Sequence, residues 1–280
     1  MNTTQHVYDP PPPTELRLAS LFWLAERDAV RKAEGVRHLA QAWLSDEIGL
    51  DTHTALTAQQ DIPGHPPKPE LVAPRLVKRR SMITLEGRAI LIHALAHIEF
   101  NAINLALDAI WRFAGMPREY YADWLHVADE EALHFSLLNR HLQGHGHAYG
   151  DFPAHSSLWE MAEKTQHDIL ARIALVPRTM EARGLDATPQ VRAKLAQAGD
   201  MAAAAILDII LRDEIGHVAI GNRWYNWLCV QRGLEPVATY AHLATEYRAP
   251  VMRGPFNLAA RRAAGFSESE LAELSNIHKA

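Results

Sequence analysis

Cysteine, secretory features and long apolar runs are all scarce in this chain. Cys229 is the single cysteine in 280 residues, which excludes an internal disulfide framework and favours a reducing compartment. The first ten residues contain neither a basic nor an apolar segment, so we expect no secretory signal. The most apolar run, 202–211, has ten residues and contains Asp208, which is short of a membrane span. These absences predict a soluble, cytoplasmic protein with no membrane partner.

Positive charge is also in short supply. The chain has 28 Lys and Arg against 33 Asp and Glu, a net charge of −5, which disfavours a nucleic-acid partner. The one compact basic cluster, Lys78-Arg79-Arg80, is most simply a solvated turn. A hydrophobic content of 48% and a charged content of 22% are ordinary for a globular protein that buries a sizeable core.

No segment has a convincing β-strand pattern, and helical periodicity covers most of the chain. Prolines 10–13 predict an extended arm, and Thr14 is a candidate cap for the first helix. We expect Pro177 to kink the third long helix and the stretch 184–189 to end it, before a shorter helix. The predicted helices run over 14–46, 81–113, 117–142, 158–184, 200–233 and 236–247, with short helices from there to the end.

The order of these helices predicts the fold class. Two hairpins of long helices joined by a long connection are typical of an all-α, ferritin-like four-helix bundle, here with additional N- and C-terminal helices. We therefore divide the chain into an N-terminal arm, helix and proline-rich wrapping segment (1–80), the bundle (81–233) and a C-terminal helical extension packed on it (234–280).

Two Glu-x-x-His motifs lie on the predicted bundle helices, Glu131 with His134 and Glu214 with His217. Residues three apart share a helix face, so each pair can offer a carboxylate and an imidazole to one metal ion. With 19 Glu and 16 His in 280 residues, roughly one such motif arises by chance, so the motifs alone mean little.

An upstream carboxylate strengthens each motif. Glu99 lies 131 − 99 = 32 residues before the first motif, and Glu181 lies 214 − 181 = 33 residues before the second, about one helical hairpin in each case. Glu99 is the single formally charged residue between Ala89 and Leu107, and a buried carboxylate is costly unless a cation compensates it. The alternative is a solvated edge shared with polar neighbours: His93, His97, Asn101 and Asn104.

Together these residues predict a dinuclear metal centre. Four carboxylates and two imidazoles on four helices are the ligand set of carboxylate-bridged sites. The lack of thiolates favours iron or manganese over a Cys-rich zinc site, and of these two we expect iron, with manganese as the alternative. We expect two Fe ions as the cofactor. The predicted metal ligands are Glu99, Glu131, His134, Glu181, Glu214 and His217.

The third helix leaves a choice open. Glu181 lies close to Arg178 and Arg183, so a surface ion pair is an alternative to a ligand role. Glu163 and His167, four residues apart, form a rival ligand pair. The spacing favours Glu181, because 33 residues match the 32 of the first hairpin.

Other acids and histidines near the motifs have weaker predictions. A ligating histidine normally donates its second ring N–H to an outer acceptor, and Asp213 could serve His134 while Glu130 serves His217. The alternative for both acids is a solvated surface. The remaining histidines of this region are expected to form a solvent-facing loop cluster: His141, His145 and His147.

Five stretches of the chain carry a family resemblance: 129–134, 159–165, 176–189, 212–225 and 253–257. They resemble a bacterial ferritin-like family long catalogued as a domain of unknown function. The similarity covers nearly the whole chain after residue 14 and implies a ferritin-like fold with a di-iron site, but no established reaction. The ligand pattern is more distantly similar to di-iron oxygenases, including the quinone-ring hydroxylases and the tRNA-modifying hydroxylase. These usually have Asp before both motif glutamates, whereas Glu130 stands before the first one here.

Two functional hypotheses follow. The first is an oxygen-activating oxidoreductase, in which the iron pair rather than a side chain carries the chemistry. Its partners would be a small-molecule substrate, O₂ and an electron-donor reductase, and the protein could form an oligomer. The second is a non-catalytic or iron-storage protein. The extra segments 14–80 and 234–280 favour the first, because a cage subunit needs little beyond the bundle. A tRNA substrate is a subordinate version of the first hypothesis.

Overall fold

A computed structural model describes residues 12–77 and 81–277, in which the regular secondary structure is helical. No strand occurs in them, since their β-type pairings are the isolated bridges Glu15–Gly49 and Leu71–Ala154. The all-helical prediction is confirmed. The arm before residue 12 and the basic cluster 78–80 lie outside the described residues. The α-helices are α1 Leu16–Ala25, α2 Ala29–Leu44, α3 Leu85–Arg112, α4 Arg118–Gly144, α5 Ser157–Lys164, α6 Ile169–Leu175, α7 Ala182–Gln197, α8 Met201–Arg232, α9 Pro236–Glu246, α10 Leu258–Ala263 and α11 Glu268–Ile277.

Helices α3, α4 and α8 form the centre of the molecule. Helix α3 packs along α4, α4 packs on α8, and α8 packs on α6 and α7. Side-chain caps fix where the helices begin: the Thr84 hydroxyl accepts the Gly87 N–H at 3.0 Å, and Asp200 accepts the Ala203 N–H at 3.0 Å. Gly233, with φ of 64°, ends α8 in the left-handed conformation that glycine adopts without steric cost.

The N-terminal segment contains two helices, so the prediction of one helix from Thr14 to Asp46 was wrong. Glu26 accepts the backbone N–H groups of Arg27 and Asp28, which turns the chain after α1. Asp28 then caps α2 by accepting the Arg31 N–H at 2.8 Å. Helix α1 packs on α3 and α2 packs on α4, so both cover the central helices.

The predicted single helix 158–184 is also divided. Helices α5 and α6 are separate, and a π-helical turn, Val176–Glu181, joins α6 to α7. Pro177 has no N–H to donate, which interrupts the α-helical ladder, and the Thr179 hydroxyl donates to the Ala174 carbonyl at 2.8 Å. A π turn holds one residue more than an α turn, so it changes the direction in which Glu181 projects.

The predicted break at 184–189 was wrong as well, because α7 continues through Pro189 to Gln197. A proline inside a helix leaves the carbonyl four residues earlier without its donor, here that of Leu185. The Asn257 side chain donates to this carbonyl at 3.2 Å and replaces the missing bond. The group that supplies the missing hydrogen bond therefore belongs to a residue 72 positions further along the chain.

Among the described helices, α3 is the one long and apolar enough to match a membrane span, with a mean hydropathy of 1.5. The apolar stretch nearest to membrane length thus lies in α3 and not at 202–211. Within the protein, 72% of that apolar window is buried, as in the core helix of a soluble protein. The cytoplasmic location stays a prediction.

Two apolar clusters hold the helices together. The larger one joins residues of α1, α2 and the central helices, including Leu24, Val36 and Phe100. The smaller one packs α10 and α11 against α7 and α8 through Phe266, Leu185 and other side chains. The three-part division at residues 80 and 233 stays a prediction.

Candidate metal centre

The first Glu-x-x-His motif lies in the middle of α4 and contacts the carboxylate of α3. Glu131 and His134 are fully buried, and Glu99 is 4% exposed. The Nδ1 atom of His134 lies 3.2 Å from Glu99 Oε2 and 3.3 Å from Glu131 Oε2. The solvated-edge alternative for Glu99 was therefore wrong, because this carboxylate points into the interior and not toward solvent.

The second motif, on α8, meets the first through Glu131. His217 Nδ1 lies 3.0 Å from Glu131 Oε1 and 3.8 Å from Glu214 Oε2. The possible metal-ligand atoms of Glu99, Glu131 and His134 lie within 4.8 Å of one another, and so do those of Glu131, Glu214 and His217. Glu131 belongs to both groups. Its two oxygens therefore face two different histidines, an arrangement that the sequence spacing did not indicate.

Glu181 occupies the last position of the π-helical turn, within electrostatic range of the cluster but outside both groups of converging ligand atoms. Its Oε2 atom is buried and has no hydrogen-bond partner among the described residues. Arg178 does not neutralise it, because Arg178 pairs with Glu270 of α11. Burial and the charge of Glu131 raise the pKa of Glu181 to about 8, which reflects its closeness to the other ligand candidates.

The rival residues on the third segment lie elsewhere. Glu163 is exposed on α5 and accepts a hydrogen bond from the Trp159 indole N–H at 3.0 Å. His167 is exposed in the turn between α5 and α6. Of these candidates, Glu181 alone has a buried carboxylate oxygen that the charge of Glu131 affects, while Glu163 and His167 are exposed.

Each buried histidine contacts a second acid on its outer side. His134 Nε2 lies 3.0 Å from Asp213 Oδ2, and His217 Nε2 lies 2.8 Å from Glu130 Oε2. Arg212 in turn donates to Asp213 at 2.7 Å. With the Nε2 proton held by an acid, a neutral imidazole at either position would direct its Nδ1 lone pair at the cluster, where a metal ion could replace the Nδ1 proton. These are the pairs expected from the sequence, and their role as outer acceptors for metal ligands stays a prediction.

The carboxylates of the cluster have strongly perturbed acidity. Burial and the charge of Glu131 raise the pKa of Glu99 to about 8, and the same two causes raise that of Glu214 well above its usual range. Burial alone would raise the pKa of Glu131, but the hydrogen bond from His134 and the charge of His217 lower it overall. The pKa of His134 rises to about 12: burial opposes the shift, but hydrogen bonds to Glu131 and Glu99 outweigh it.

Several atoms of the cluster that could bind a metal lack a hydrogen bond even though they are close to one another. His217 Nδ1 and Glu131 Oε1 are 3.0 Å apart, and neither makes a hydrogen bond of regular geometry with a described residue. Glu214 Oε2 is in the same situation. Buried carboxylates and imidazoles that converge in this way are costly unless protons or cations compensate their charges. Two divalent cations carry four positive charges, which would balance four carboxylates beside neutral imidazoles, so the residues fit a dinuclear centre.

Comparison with known proteins places the chain in a family. The profile of the family described as "Protein of unknown function (DUF455)" matches residues 25–272. The chain belongs to the DUF455 family. A Haemophilus influenzae protein described as "Uncharacterized protein" is 53% identical to it over 231 residues, which cover 80% of each chain. No solved structure matches at a significant level.

This DUF455 protein holds a second histidine cluster that the sequence analysis misjudged. His141 lies within α4 and His145 caps its end, and both are half-buried against Asp200 rather than in a solvent-facing loop. His147 stands apart, 3.8 Å from Asp151. The sequence signal for this cluster was available, because histidines four residues apart share a helix face. Asp200 could not be paired with them from sequence alone.

Proposed function

We propose that this protein is a ferritin-like di-iron oxidoreductase that activates O₂ to oxidise or hydroxylate a small organic substrate. The proposal depends on one observation: two buried groups of a histidine and carboxylates share Glu131. The helices α3, α4 and α8 and the π-helical turn before α7 each supply ligand candidates, as in a ferritin-like bundle. The proposed ligands are the six residues predicted from the sequence.

The residues of the chain would hold and orient the metal pair. Asp213 and Glu130 keep the Nε2 protons of His134 and His217, which leaves both Nδ1 atoms free as ligands. Glu131 would help to hold both metal ions, because its two oxygens face different histidines. When bound, iron supplies the one-electron chemistry with O₂ that side chains lack, and manganese is the alternative metal.

An iron store is the competing function. The packing of additional helices favours the enzyme, since α1 and α2 lie on α3 and α4, while α9 and α10 lie on α8. A storage cage uses the outer faces of its bundles to assemble, and here other helices of the same chain cover part of those faces. We therefore propose a small-molecule substrate and an electron-donor reductase as partners, with any oligomer a small one.

A ferrous iron titration tests this proposal. Anaerobic loading followed by O₂ should give a fast optical transient, with about two Fe²⁺ oxidised per chain, as the ligand set allows. Glu131→Ala should abolish the fast oxidation, whereas Glu163→Ala, a matched glutamate outside the cluster, should retain it. Continued iron uptake into a mineral core, with a cage-sized assembly in light scattering, would rule the enzyme out. Bound iron that does not react with O₂ would leave only a binding role.

A further inference from the structure

A second group of metal-ligating side chains lies where the end of α4 meets the start of α8. His141 Nε2 lies 3.0 Å from Asp200 Oδ1, and His145 Nε2 lies 3.3 Å from Asp200 Oδ2. The two Nε2 atoms are 3.1 Å apart, so the three side chains form a closed triangle of ligand atoms. All three residues are only partly exposed, with side-chain exposures of 16%, 18% and 6%.

Hydrogen bonding alone accounts poorly for this triangle. One proton can form a hydrogen bond along only one edge of the triangle. If both imidazoles donate to Asp200, their Nε2 protons lie close to each other, because the two nitrogen atoms are 3.1 Å apart. A metal ion serves all three edges at once. At a zinc–nitrogen distance of about 2.0–2.1 Å, the edges of a tetrahedral site are roughly 3.3 Å, close to the separations found here.

We propose that His141, His145 and Asp200 bind one divalent transition-metal ion of the zinc type. Two imidazoles and one carboxylate suit such an ion, and three protein ligands leave a position for water. His141 and His145 line a surface cavity of about 400 Å³, together with Leu137, Arg140 and Ile206.

The proposed site is prearranged and separate from the buried cluster. Histidines four apart on α4 share one face, and the Ala203 N–H holds the Asp200 carboxylate at 3.0 Å. His141 follows His134 by seven residues, which is roughly 10 Å along a helix and too far for a shared ion. A metal here would tie the end of α4 to the first turn of α8, across the connection that runs between them.

Zinc counting tests the proposal. The full-length protein is equilibrated with Zn²⁺, and bound zinc per chain is measured after dialysis. We expect His145→Ala to hold one zinc fewer than the wild type and His147→Ala, the neighbouring histidine outside the triangle, to match the wild type. Asp200→Asn should weaken zinc binding at least tenfold while it retains the helix cap, because Asn caps helices as well as Asp does. Circular dichroism confirms that each variant is folded.

A variant of the other centre separates this inference from the proposed function. In the Glu131→Ala background, zinc should still bind at the triangle and raise the unfolding temperature, and His145→Ala should remove that rise. Equal zinc content in the wild type and folded His145→Ala, or loss of this zinc in Glu131→Ala alone, would overturn the inference. Either result leaves the iron test of the buried cluster unaffected.

Discussion

Glu131 lies between the two buried histidines and faces both, while its neighbours Glu99 and Glu214 have raised pKa values. Such a set of acids does not stabilise a fold by itself, because burial penalises each charge and the like charges repel one another. Residues kept under these conditions are characteristic of functional sites. The same reasoning extends to Glu181, whose buried oxygen has no partner.

Substitution of Glu181 should therefore affect metal binding and not only packing. We expect Glu181→Ala to lower the metal content and to weaken metal affinity roughly tenfold or more, as the loss of one of several ligands does. Glu163→Ala and His167→Ala should stay close to the wild type, because both residues are exposed outside the cluster. Elemental analysis after iron-supplemented expression measures all three. Normal metal in Glu181→Ala together with loss in Glu163→Ala would transfer the role to Glu163.

Lys32 provides a test of pH dependence away from the metal cluster. It is buried on α2 and donates to Asn104 Oδ1 at 2.5 Å and to the carbonyls of Leu24 and Gly64, both at 3.1 Å. Burial lowers its pKa from 10.5 to about 7, and the charge of Glu26 opposes the shift. Among the titratable groups nearby, His65 also has a lowered pKa, through burial and the charge of Lys32.

The sign of the Lys32 effect follows from proton linkage. Between pH 7 and about 10 the unfolded chain binds the Lys32 proton and the folded chain does not, so this residue makes stability rise with pH. As the pH rises through that window, the wild type should gain stability relative to Lys32→Met by up to about 1.4 kcal/mol per pH unit. Urea titrations at pH 6.5, 8 and 9.5 measure it. A difference that is constant with pH would contradict the lowered pKa.

At the scale of elements, the π-helical turn and α8 are joined by a close contact. A Cβ atom on Gly221 would lie 2.8 Å from Pro177 Cβ and 3.1 Å from its Cγ, so α8 can pack on this turn only with glycine at that position. The turn carries Glu181 and α8 carries Glu214 and His217, so the contact sets the distance between ligand candidates.

Gly221→Ala should consequently disturb both stability and the metal centre. We expect a loss of about 1–3 kcal/mol from overpacking, together with weaker metal binding. Gly216→Ala is the matched control on the same helix: its Cβ would meet no atom within 4 Å, and alanine in an exposed helix position stabilises by up to about 1 kcal/mol. Thermal unfolding measures the stability of both variants, and elemental analysis measures their metal content. Equal stability of the two would show that the turn yields to the added methyl group.

At the scale of the whole molecule, metal binding and folding should be linked, because ligand candidates come from helices that are far apart in the chain. Binding to the folded state alone adds about 2.7 kcal/mol of stability at a free metal concentration of 100 times Kd. We expect anaerobic Fe²⁺, or Mn²⁺, to raise the unfolding temperature of the metal-free wild type by several degrees, and Glu131→Ala to lose most of this rise. Calorimetry measures the shift. An equal rise in both proteins would place the stabilising metal outside the buried cluster.

Local patterns predicted a large part of this protein. Helix periodicity and capping involve residues only a few positions apart. They predicted the positions of α4 and α8, the end of α8 at Gly233 and the shared face of each Glu-x-x-His pair. The spacing argument also selected Glu99, which lies with the first motif in the structure, whereas the ligand role of Glu181 stays a prediction. The ferritin-like architecture, the metals and the reaction stay predictions.

Errors occurred where a residue from another part of the chain decides the local structure. The sequence of α7 predicts a break at Pro189, yet Asn257 supplies the donor that the Leu185 carbonyl lacks. Likewise, His141 and His145 have the spacing of a shared helix face, but only the packing of α4 against α8 brings Asp200 to them.

The sequence alone therefore determined which residues can act together within one helix, since 3.6 residues per turn is a local property. Tertiary structure decided which of these groups meet: Glu131 faces both histidines, and its charge acts on the buried carboxylate of Glu181, which follows the interruption at Pro177. The reason is physical. Backbone hydrogen bonds connect near neighbours, whereas the burial of unpaired carboxylates depends on contacts between helices that are tens of residues apart in the chain.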